Sequence, residues 1–411
     1  MTAPPRGPRR TLAQAGGPIE IGGDREAGVV LRRALEASAD PDSARDHVHG
    51  FHSYPARLHP RFARVIIEAL APAGGVVLDP FCGSGTVLVE ARIAGREGLG
   101  VDANPLAVML SDLKAAGRSP EQLAELLQQV ERVAEVATDR RKKRAGASRR
   151  YLPEDVDAFA PHVLLELDGL SVGIGQVSSA PVRRDLELVL SSLLTKVSRK
   201  GGDSAEGEVD KRIAAGFPTR LFIGKARELR ERMAAYQGLL PPNAPRPAAF
   251  EGDARELGPV RDRAADLVVC SPPYPGNYDY LQHHALRLRW LGLRSSRFDE
   301  REMGARRKLE RRPGDPARAA WLADLVASLS QIRRVLVPGG AAVLVLGDSV
   351  VADEPFYNDD LVHDAALAAG LTPVARASQP RAHFHFGSRD AFRDRPRREH
   401  ALFLSADGRG P

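Results

Sequence analysis

Ser271-Pro272-Pro273-Tyr274 closes the apolar run Asp266-Leu267-Val268-Val269-Cys270. Two consecutive prolines end a strand, because neither offers an N–H to a sheet ladder. Their fixed φ also sets the direction of the neighbouring carbonyls. A small hydroxyl precedes the pair and a flat aromatic follows it. The result is a rigid rim of hydrogen-bond acceptors beside a stacking plate, suited to a planar ring that bears an amino group. Taken alone, the four residues fit equally a loop that ends a core strand, with Tyr274 packing outside.

A second segment, Val76-Val77-Leu78-Asp79-Pro80-Phe81-Cys82-Gly83-Ser84-Gly85-Thr86, runs from apolar residues into a glycine turn and then a helical pattern. Gly83 and Gly85 permit a tight turn and close approach of a ligand to the backbone. The helix start that follows offers free N–H groups. A short run, Gly98-Leu99-Gly100-Val101, then ends on Asp102. The order strand, turn, helix, strand, acid places Asp102 at the tip of the neighbouring strand, where a carboxylate accepts ribose hydroxyls. Leu88 stands where a dinucleotide fingerprint has its third glycine, and no lysine follows the turn as in a triphosphate loop. A nucleoside ligand without a pyrophosphate fits better.

Together these segments resemble the S-adenosylmethionine-dependent amino-methyltransferases of DNA. Asp79 to Thr86 is similar to that family's Asp-Pro-Phe-x-Gly-x-Gly-Thr cofactor loop. Ser271 to Tyr274 is similar to its catalytic tetrapeptide, in the serine form common among cytosine-N4 enzymes. His52-Ser53-Tyr54-Pro55-Ala56-Arg57 resembles the segment that precedes the loop and closes over the methionine end. Glu251-Gly252-Asp253-Ala254 resembles the third-strand segment whose acid reaches the adenine amino group. The matches lie in roughly residues 50–110 and 250–405. The resemblance implies an α/β fold of the class I methyltransferase, Rossmann-like type, a mixed sheet with helices on both faces, here with a helical insertion.

It also implies a site. Ser271, Pro272, Pro273 and Tyr274 would carry the chemistry. Tyr54, Pro55, Asp79, Phe81, Gly83, Gly85, Thr86, Asp102 and Asp253 would hold S-adenosylmethionine. An exocyclic amine is a poor nucleophile because its lone pair is delocalised into the ring. The Ser271 hydroxyl and the Pro272 carbonyl would accept its N–H groups and free that pair, with Tyr274 stacked on a base drawn out of the duplex. Serine at 271 leans to cytosine N4 and leaves adenine N6 open. Amino-methylation of RNA, and nucleic-acid binding on the same fold without catalysis, stay as alternatives. Methylation of a protein glutamine ranks below them, since that family usually carries Asn in place of Ser271.

The elements that must position these residues follow from the rest of the chain. Its 411 residues, 43% hydrophobic, suffice for one large domain with an insertion or for two domains. A net charge of +6 favours a polyanionic partner, and the resemblance implies that it is DNA. Neither a secretory signal nor a run of ~20 apolar residues is present, so a soluble, cytoplasmic protein is expected. The chain divides into a disordered N-terminus with a leading helix (1–48), a first core part with the loop (49–112), a helical segment (113–247) and a second core part with the tetrapeptide (248–408). Within 113–247, Arg141-Lys142-Lys143-Arg144 and Arg149-Arg150 form a basic cluster that a nucleic-acid backbone or plain solvent would satisfy. Helices are expected over 60–70, 186–197, 221–233 and 321–336, a mobile charged loop over 295–318, and a last strand over 398–404. Arg381 to Arg389 alternates basic groups and phenylalanines, as an edge strand or loop touching a nucleic-acid backbone would. His383 and His385 lack a carboxylate partner for metal, and no metal is expected. The two cysteines, Cys82 and Cys270, sit at the tips of strands expected to be neighbours, within reach of one another.

Overall fold

The structure is a computed structural model that describes residues 16–199, 209, 211–382 and 387–410. Its strands are β1 (Glu20–Gly23), β2 (Val76–Asp79), β3 (Glu97–Asp102), β4 (Ala248–Glu251), β5 (Ala265–Cys270), β6 (Leu336–Gly347), β7 (Ser349–Val351), β8 (Glu354–Phe356), β9 (Thr372–Pro380) and β10 (Arg398–Ser405). Eight of them form one sheet in the order β1-β9-β10-β6-β5-β2-β3-β4, while β7 and β8 pair as a hairpin. From β4 to β6 the neighbours are parallel, and β10, β9 and β1 continue antiparallel. Chain order reverses between β2 and β5. Open α/β sheets bind ligands in the crevice outside the carboxyl ends of the strands at such a switch point.

The parallel strands are apolar on both sides, and alternation along them sorts their side chains into two cores. Val77, Leu267, Val269, Val343 and Val345 face one, and Leu78, Val268, Cys270, Ala342 and Leu344 face the other. The first core is roofed by α1 (Arg25–Ala37), α2 (Pro60–Leu70), α3 (Thr86–Ile93) and α4 (Pro105–Ala116). Proline opens α2 and α4, where its missing N–H costs nothing.

Between β3 and β4 run α5 (Pro120–Lys142), α6 (Pro153–Ala158), α7 (Pro161–Gly175), α8 (Ala180–Val197) and α9 (Phe217–Gln237). Ser119 and Gln122 cap α5 reciprocally, and its buried Leu123, Leu126, Val130, Val133 and Ala137 form one stripe. These helices share a continuous apolar core with α1 to α4. Past the tetrapeptide come α10 (Tyr280–Trp290), α11 (Ser296–Arg301), α12 (Arg306–Leu309), α13 (Asp315–Val335) and α14 (Asn358–Ala368). Residues of α13 and α14 cover the second core.

Four sequence expectations change. Residues 20–23 are not part of a disordered arm: β1 pairs along β9, and the sheet edge supplies hydrogen bonds that Glu-Ile-Gly-Gly does not advertise. Residues 295–318 are not a mobile loop. They form α11, α12 and the start of α13, with Phe298, Met303 and Leu309 buried and Arg307 tied to Asp279 and Glu302. Cys82 and Cys270 are buried free thiols on opposite faces of the sheet, so they do not meet. Arg381 does not reach outward but is buried at the end of β9. His383 and His385 lie outside the described residues. No helix among the described residues is long and apolar enough to cross a membrane.

Candidate active site

The glycine turn is set by two acids beneath it. Asp79, the last residue of β2, is buried, and one carboxylate oxygen accepts the Phe81 N–H at 3.0 Å. Burial pushes its pKa up to about 8, the Phe81 N–H opposes the rise, and the nearby Asp102 charge adds to it. Near neutral pH this carboxyl is therefore mostly protonated. Asp102, at the end of β3, accepts the Gly83 N–H and the Asn104 N–H, each at 2.8 Å. Burial raises its pKa to about 6 against those two donors, so it is ionised at neutral pH.

Gly83 has φ +51° and Gly85 φ +85°, a region that favours glycine. A Cβ at Gly85 would come within 2.9 Å of the Ser111 backbone, and one at Gly83 within 3.3 Å of the Tyr54 ring. Ser111 Oγ donates to the Gly83 carbonyl at 2.9 Å and fixes the turn from α4. Gly85 ends the turn, and Thr86, buried, opens α3.

Above this turn lies a pocket open to solvent. One wall is Phe81, Gly83, Asp102 and Ala103; Tyr54 and Pro55 form a second, and Ser271 and Pro273 a third. Asp253 and Ala254, after β4, close a further side. Eight of the residues singled out in the sequence thus meet here. Asp79, Gly85, Thr86, Pro272 and Tyr274 do not line the pocket; the first three build the turn beneath it.

Tyr54 is held on both sides. Asn104 Nδ2 donates to its hydroxyl at 3.3 Å, and its ring stacks on the buried His284 of α10 at 4.8 Å. The segment before α2 is braced from α8 and α10: His52 Nε2 lies 3.0 Å from Ser191 Oγ, and Arg287 donates to Ser53 Oγ at 3.0 Å. The Asp253 carboxylate is already engaged. Arg255 binds its two oxygens through Nε and Nη2, at 3.0 and 2.7 Å, and also donates its backbone N–H.

Tyr280, from the tyrosine-rich stretch after the tetrapeptide, and Phe298, Arg301, Glu302 and Met303 form the remaining wall, and sequence reasoning missed the last four. Glu302 is buried, accepts the Leu281 N–H at 3.2 Å and pairs with Arg307 at 2.7 Å. Burial raises its pKa against that pairing. The available signal was Phe298 and Met303, two large apolar residues in an otherwise charged run.

The tetrapeptide leaves β5 beside the pocket. Ser271 is half-buried, Pro272 buried. The Tyr274 ring carries the Arg381 guanidinium 5.1 Å from its centroid, and its hydroxyl donates to Glu399 at 3.4 Å. The far end of α10 joins the helical segment. Trp290 stacks on Tyr151 at 5.3 Å, Arg149 lies over Tyr151 at 4.9 Å, and Arg289 pairs with Asp155 at 2.8 Å. Arg141 to Arg144 and Arg149 to Arg150 are exposed.

Two clusters bring metal-type ligands together, His47–His49–Glu90 and Asp348–Asp359–His400. Their carboxylates are engaged by protein groups: Glu90 by Arg64, Asp348 by the Asn358 and Arg398 N–H groups, and Asp359 by Arg376 and Arg395.

A mixed sheet with helices on both faces, and a glycine-turn pocket at its switch point, is the Rossmann-like fold of class I methyltransferases. Residues 30–111 match the family model for N6/N4-type DNA methylases. The chain is 36% identical over 92 residues to the type II methyltransferase M.MvaI of Kocuria varians, covering 22% of this chain and 20% of that one. It is 22% identical over 285 residues to the type II methyltransferase M.BsoBI of Geobacillus stearothermophilus, covering 62% and 54%. A tRNA (guanine(10)-N2)-dimethyltransferase of Methanothermobacter thermautotrophicus is 39% identical over 76 residues, 18% of this chain and 22% of that one. The chain thus spans between a fifth and about half of these relatives' length.

Proposed function

We propose that this protein transfers a methyl group from S-adenosylmethionine to an exocyclic amine of a DNA base, with cytosine N4 as the favoured target. One observation carries the reading: the glycine turn with Asp102 and the serine-proline rim are two walls of one pocket. The pocket fits the cofactor in chemistry: aromatic and apolar groups line it together with carboxylates and the Ser271 hydroxyl. Gly83 leaves a hollow beneath Tyr54 that a side chain would fill, and Ser84 Oγ is buried in the turn with no partner among the described residues.

In this reading Asp102 accepts the ribose hydroxyls, while Phe81 and the Gly83 to Gly85 backbone hold the remainder under Tyr54 and Pro55. Asp253 presents the lone pairs that Arg255 leaves free to the adenine amino group. When bound, S-adenosylmethionine supplies an electrophilic methyl group. The protein's contribution is placement: Ser271 Oγ and the Pro272 carbonyl accept the amine N–H groups, draw the nitrogen towards sp³ and hold it in line. The same acceptors stabilise the positive charge that develops on nitrogen. A flipped base would use the face of Tyr274 opposite Arg381.

Duplex DNA would lie along the exposed basic residues 141–150. Their segment is fastened to α10, whose first residue lines the pocket and whose last, ten residues on, is Trp290. At ~1.5 Å per residue these ends are about 15 Å apart, within reach of one bound duplex. The protein would act in the cytoplasm.

The test is expression in a host free of DNA methylation, followed by sequencing that reads modified bases directly. Modified cytosine with wild type, lost in Ser271→Ala at unchanged cofactor affinity, is the expected result. Modified adenine would move the target to N6. The likeness to a tRNA methyltransferase supports a second reading, methylation of RNA. Methyl incorporation into RNA and none into DNA would establish that instead.

A further inference from the structure

Residues 141–150 carry six cations in ten positions, yet the segment is fastened rather than loose. It leaves α5 through a close turn. The Lys143 N–H donates to the Asp139 carbonyl at 2.9 Å, the Arg144 N–H to that of Arg141 at 3.1 Å, and the Ala145 N–H to that of Arg140 at 2.9 Å. Arg144 sits at φ +50°, a left-handed conformation uncommon for a residue with a side chain. Four further bonds converge on one buried carboxyl group, that of Asp168 in α7. Its Oδ1 accepts from Ser148 Oγ at 2.6 Å and from the Tyr151 hydroxyl at 2.7 Å. Its Oδ2 accepts from the Ser148 N–H and from Arg140 Nη2, each at 3.0 Å. Arg140 Nη2 also donates to the Gly146 carbonyl at 2.8 Å. The Tyr151 ring, stacked on Trp290, carries the Arg149 guanidinium. Among the described residues, none of the six cations at 141–144 and 149–150 is in an ion pair.

We infer that Asp168 is the positioning residue of the DNA-docking surface. It shapes residues 140–151 in the free protein, so that a duplex meets cations already in place. Like charges held side by side repel one another. A basic segment that meets only water gains from spreading out and needs no buried carboxyl group to shape it. Unpaired cations on a shaped segment fit a partner whose negative charges are themselves at fixed spacing, which is the backbone of a duplex. Ordering a segment at the moment of binding costs affinity, and a segment ordered beforehand avoids that cost. Asp168 acts through the segment above it and, being buried, touches no phosphate. The inference deepens the DNA reading and rests on it.

The test is binding of a fluorescent DNA duplex of mixed sequence, followed by anisotropy over a series of salt concentrations. Two variants release the segment from opposite sides. Asp168→Asn leaves one acceptor oxygen for four donors. Ser148→Ala combined with Tyr151→Phe removes both hydroxyls from the segment, leaves the buried carboxyl group untouched and keeps the ring on Trp290. Each should weaken binding by about ten- to a hundredfold. The slope of log K against log salt should stay as in wild type, because the same phosphates are neutralised once the segment is bound. By charge alone, an amide in place of an acid would leave binding unchanged or strengthen it, so weakening is the mark of lost shape. Trypsin should cut after the basic residues slowly in free wild type and faster in both variants. Cofactor affinity by calorimetry should stay within about twofold, since the pocket is a separate site. Binding as tight as wild type in either variant would overturn the inference, as would wild type cut as fast as the variants. Should Asp168→Asn fail to fold, the combined Ser148→Ala, Tyr151→Phe variant decides alone. Changing the six cations to glutamine tests the underlying reading separately. An unchanged affinity and slope there, with Asp168 intact, would mean that DNA docks elsewhere.

Discussion

Lowering the pH from 7 to 5 isolates the part Asp102 plays in cofactor binding. Its carboxylate has a pKa raised to about 6 by burial, with the Gly83 and Asn104 N–H groups opposing the rise. Only the ionised form presents acceptors to both ribose hydroxyls. The ionised fraction is about 0.91 at pH 7 and about 0.09 at pH 5 for a pKa of that size. Affinity for S-adenosylmethionine should therefore fall about tenfold over the range, ~1.4 kcal/mol, with a midpoint near pH 6. The sign is fixed: binding is at full strength above the folded pKa and weakens as pH falls through it. Asp79 is already largely protonated below its pKa of about 8, so it does not mimic the effect at the acid end. Isothermal titration calorimetry in two buffers of different ionisation enthalpy measures affinity and proton release together. About half a proton should leave per cofactor bound near pH 6. Asp102→Asn should bind more weakly at pH 7 and lose the pH dependence between 7 and 5. A flat affinity down to pH 5 in protein that keeps its near-ultraviolet dichroism would refute the assignment, as would an Asn variant with the wild-type slope.

Two further outcomes follow from the same geometry. Asp79 has a folded pKa of about 8 against an ordinary value of 3.8, so the native state holds its proton more tightly than the unfolded chain. Stability should fall as pH rises between those values, by up to about 1.4 kcal/mol per unit from this group. Asp79→Asn keeps an oxygen for the Phe81 N–H, and urea melts from pH 5.5 to 8 should show a shallower decline than wild type. Changing the six basic residues at 141–144 and 149–150 to glutamine should weaken DNA binding and flatten its dependence on salt. Every phosphate that the variant no longer neutralises takes ~0.9 off the slope of log K against log salt, and an unchanged slope would assign those charges to solvent.

The glycine turn and the tetrapeptide were legible because their chemistry is local. Gly83 and Gly85 declare a backbone conformation, and Pro272-Pro273 a strand end, whatever the rest of the fold does. Asp102 was legible through order, since a strand after a glycine turn and a helix can only lie alongside. The wall from Phe298 to Met303 was not. A run so rich in charge reads as solvated until Arg307 is seen neutralising Glu302 and Asp279, partners set by tertiary packing. Arg381 failed for the same reason. Its alternation with phenylalanine suggests an outward edge, but burial against Glu399 and Tyr274 depends on partners 18 and 107 residues away in sequence. The short β1 needs β9 beside it to exist at all.

The charge balance of the pocket leads to one more measurable outcome. Among the described residues, four carboxyl groups line or underlie it. Asp253 is paired with Arg255, Glu302 with Arg307, and Asp79 is mostly protonated at neutral pH. Asp102 alone is met only by backbone N–H groups and keeps a net negative charge. In the proposed reaction the cofactor arrives with a positive sulfonium and leaves as a neutral thioether. A carboxylate with no cationic partner of its own favours the first over the second: at ~8 Å and an effective dielectric near 20 the attraction is of order 2 kcal/mol, reduced by the Arg301 guanidinium on the same pocket wall. Competition calorimetry should find S-adenosylmethionine bound more tightly than its demethylated product at pH 7. Asp102→Asn should narrow that ratio, and lowering the wild type to pH 5 should narrow it in the same direction. A ratio unchanged by both would mean that the pocket selects by shape and that the charge left on Asp102 serves only to hold the Gly83 turn.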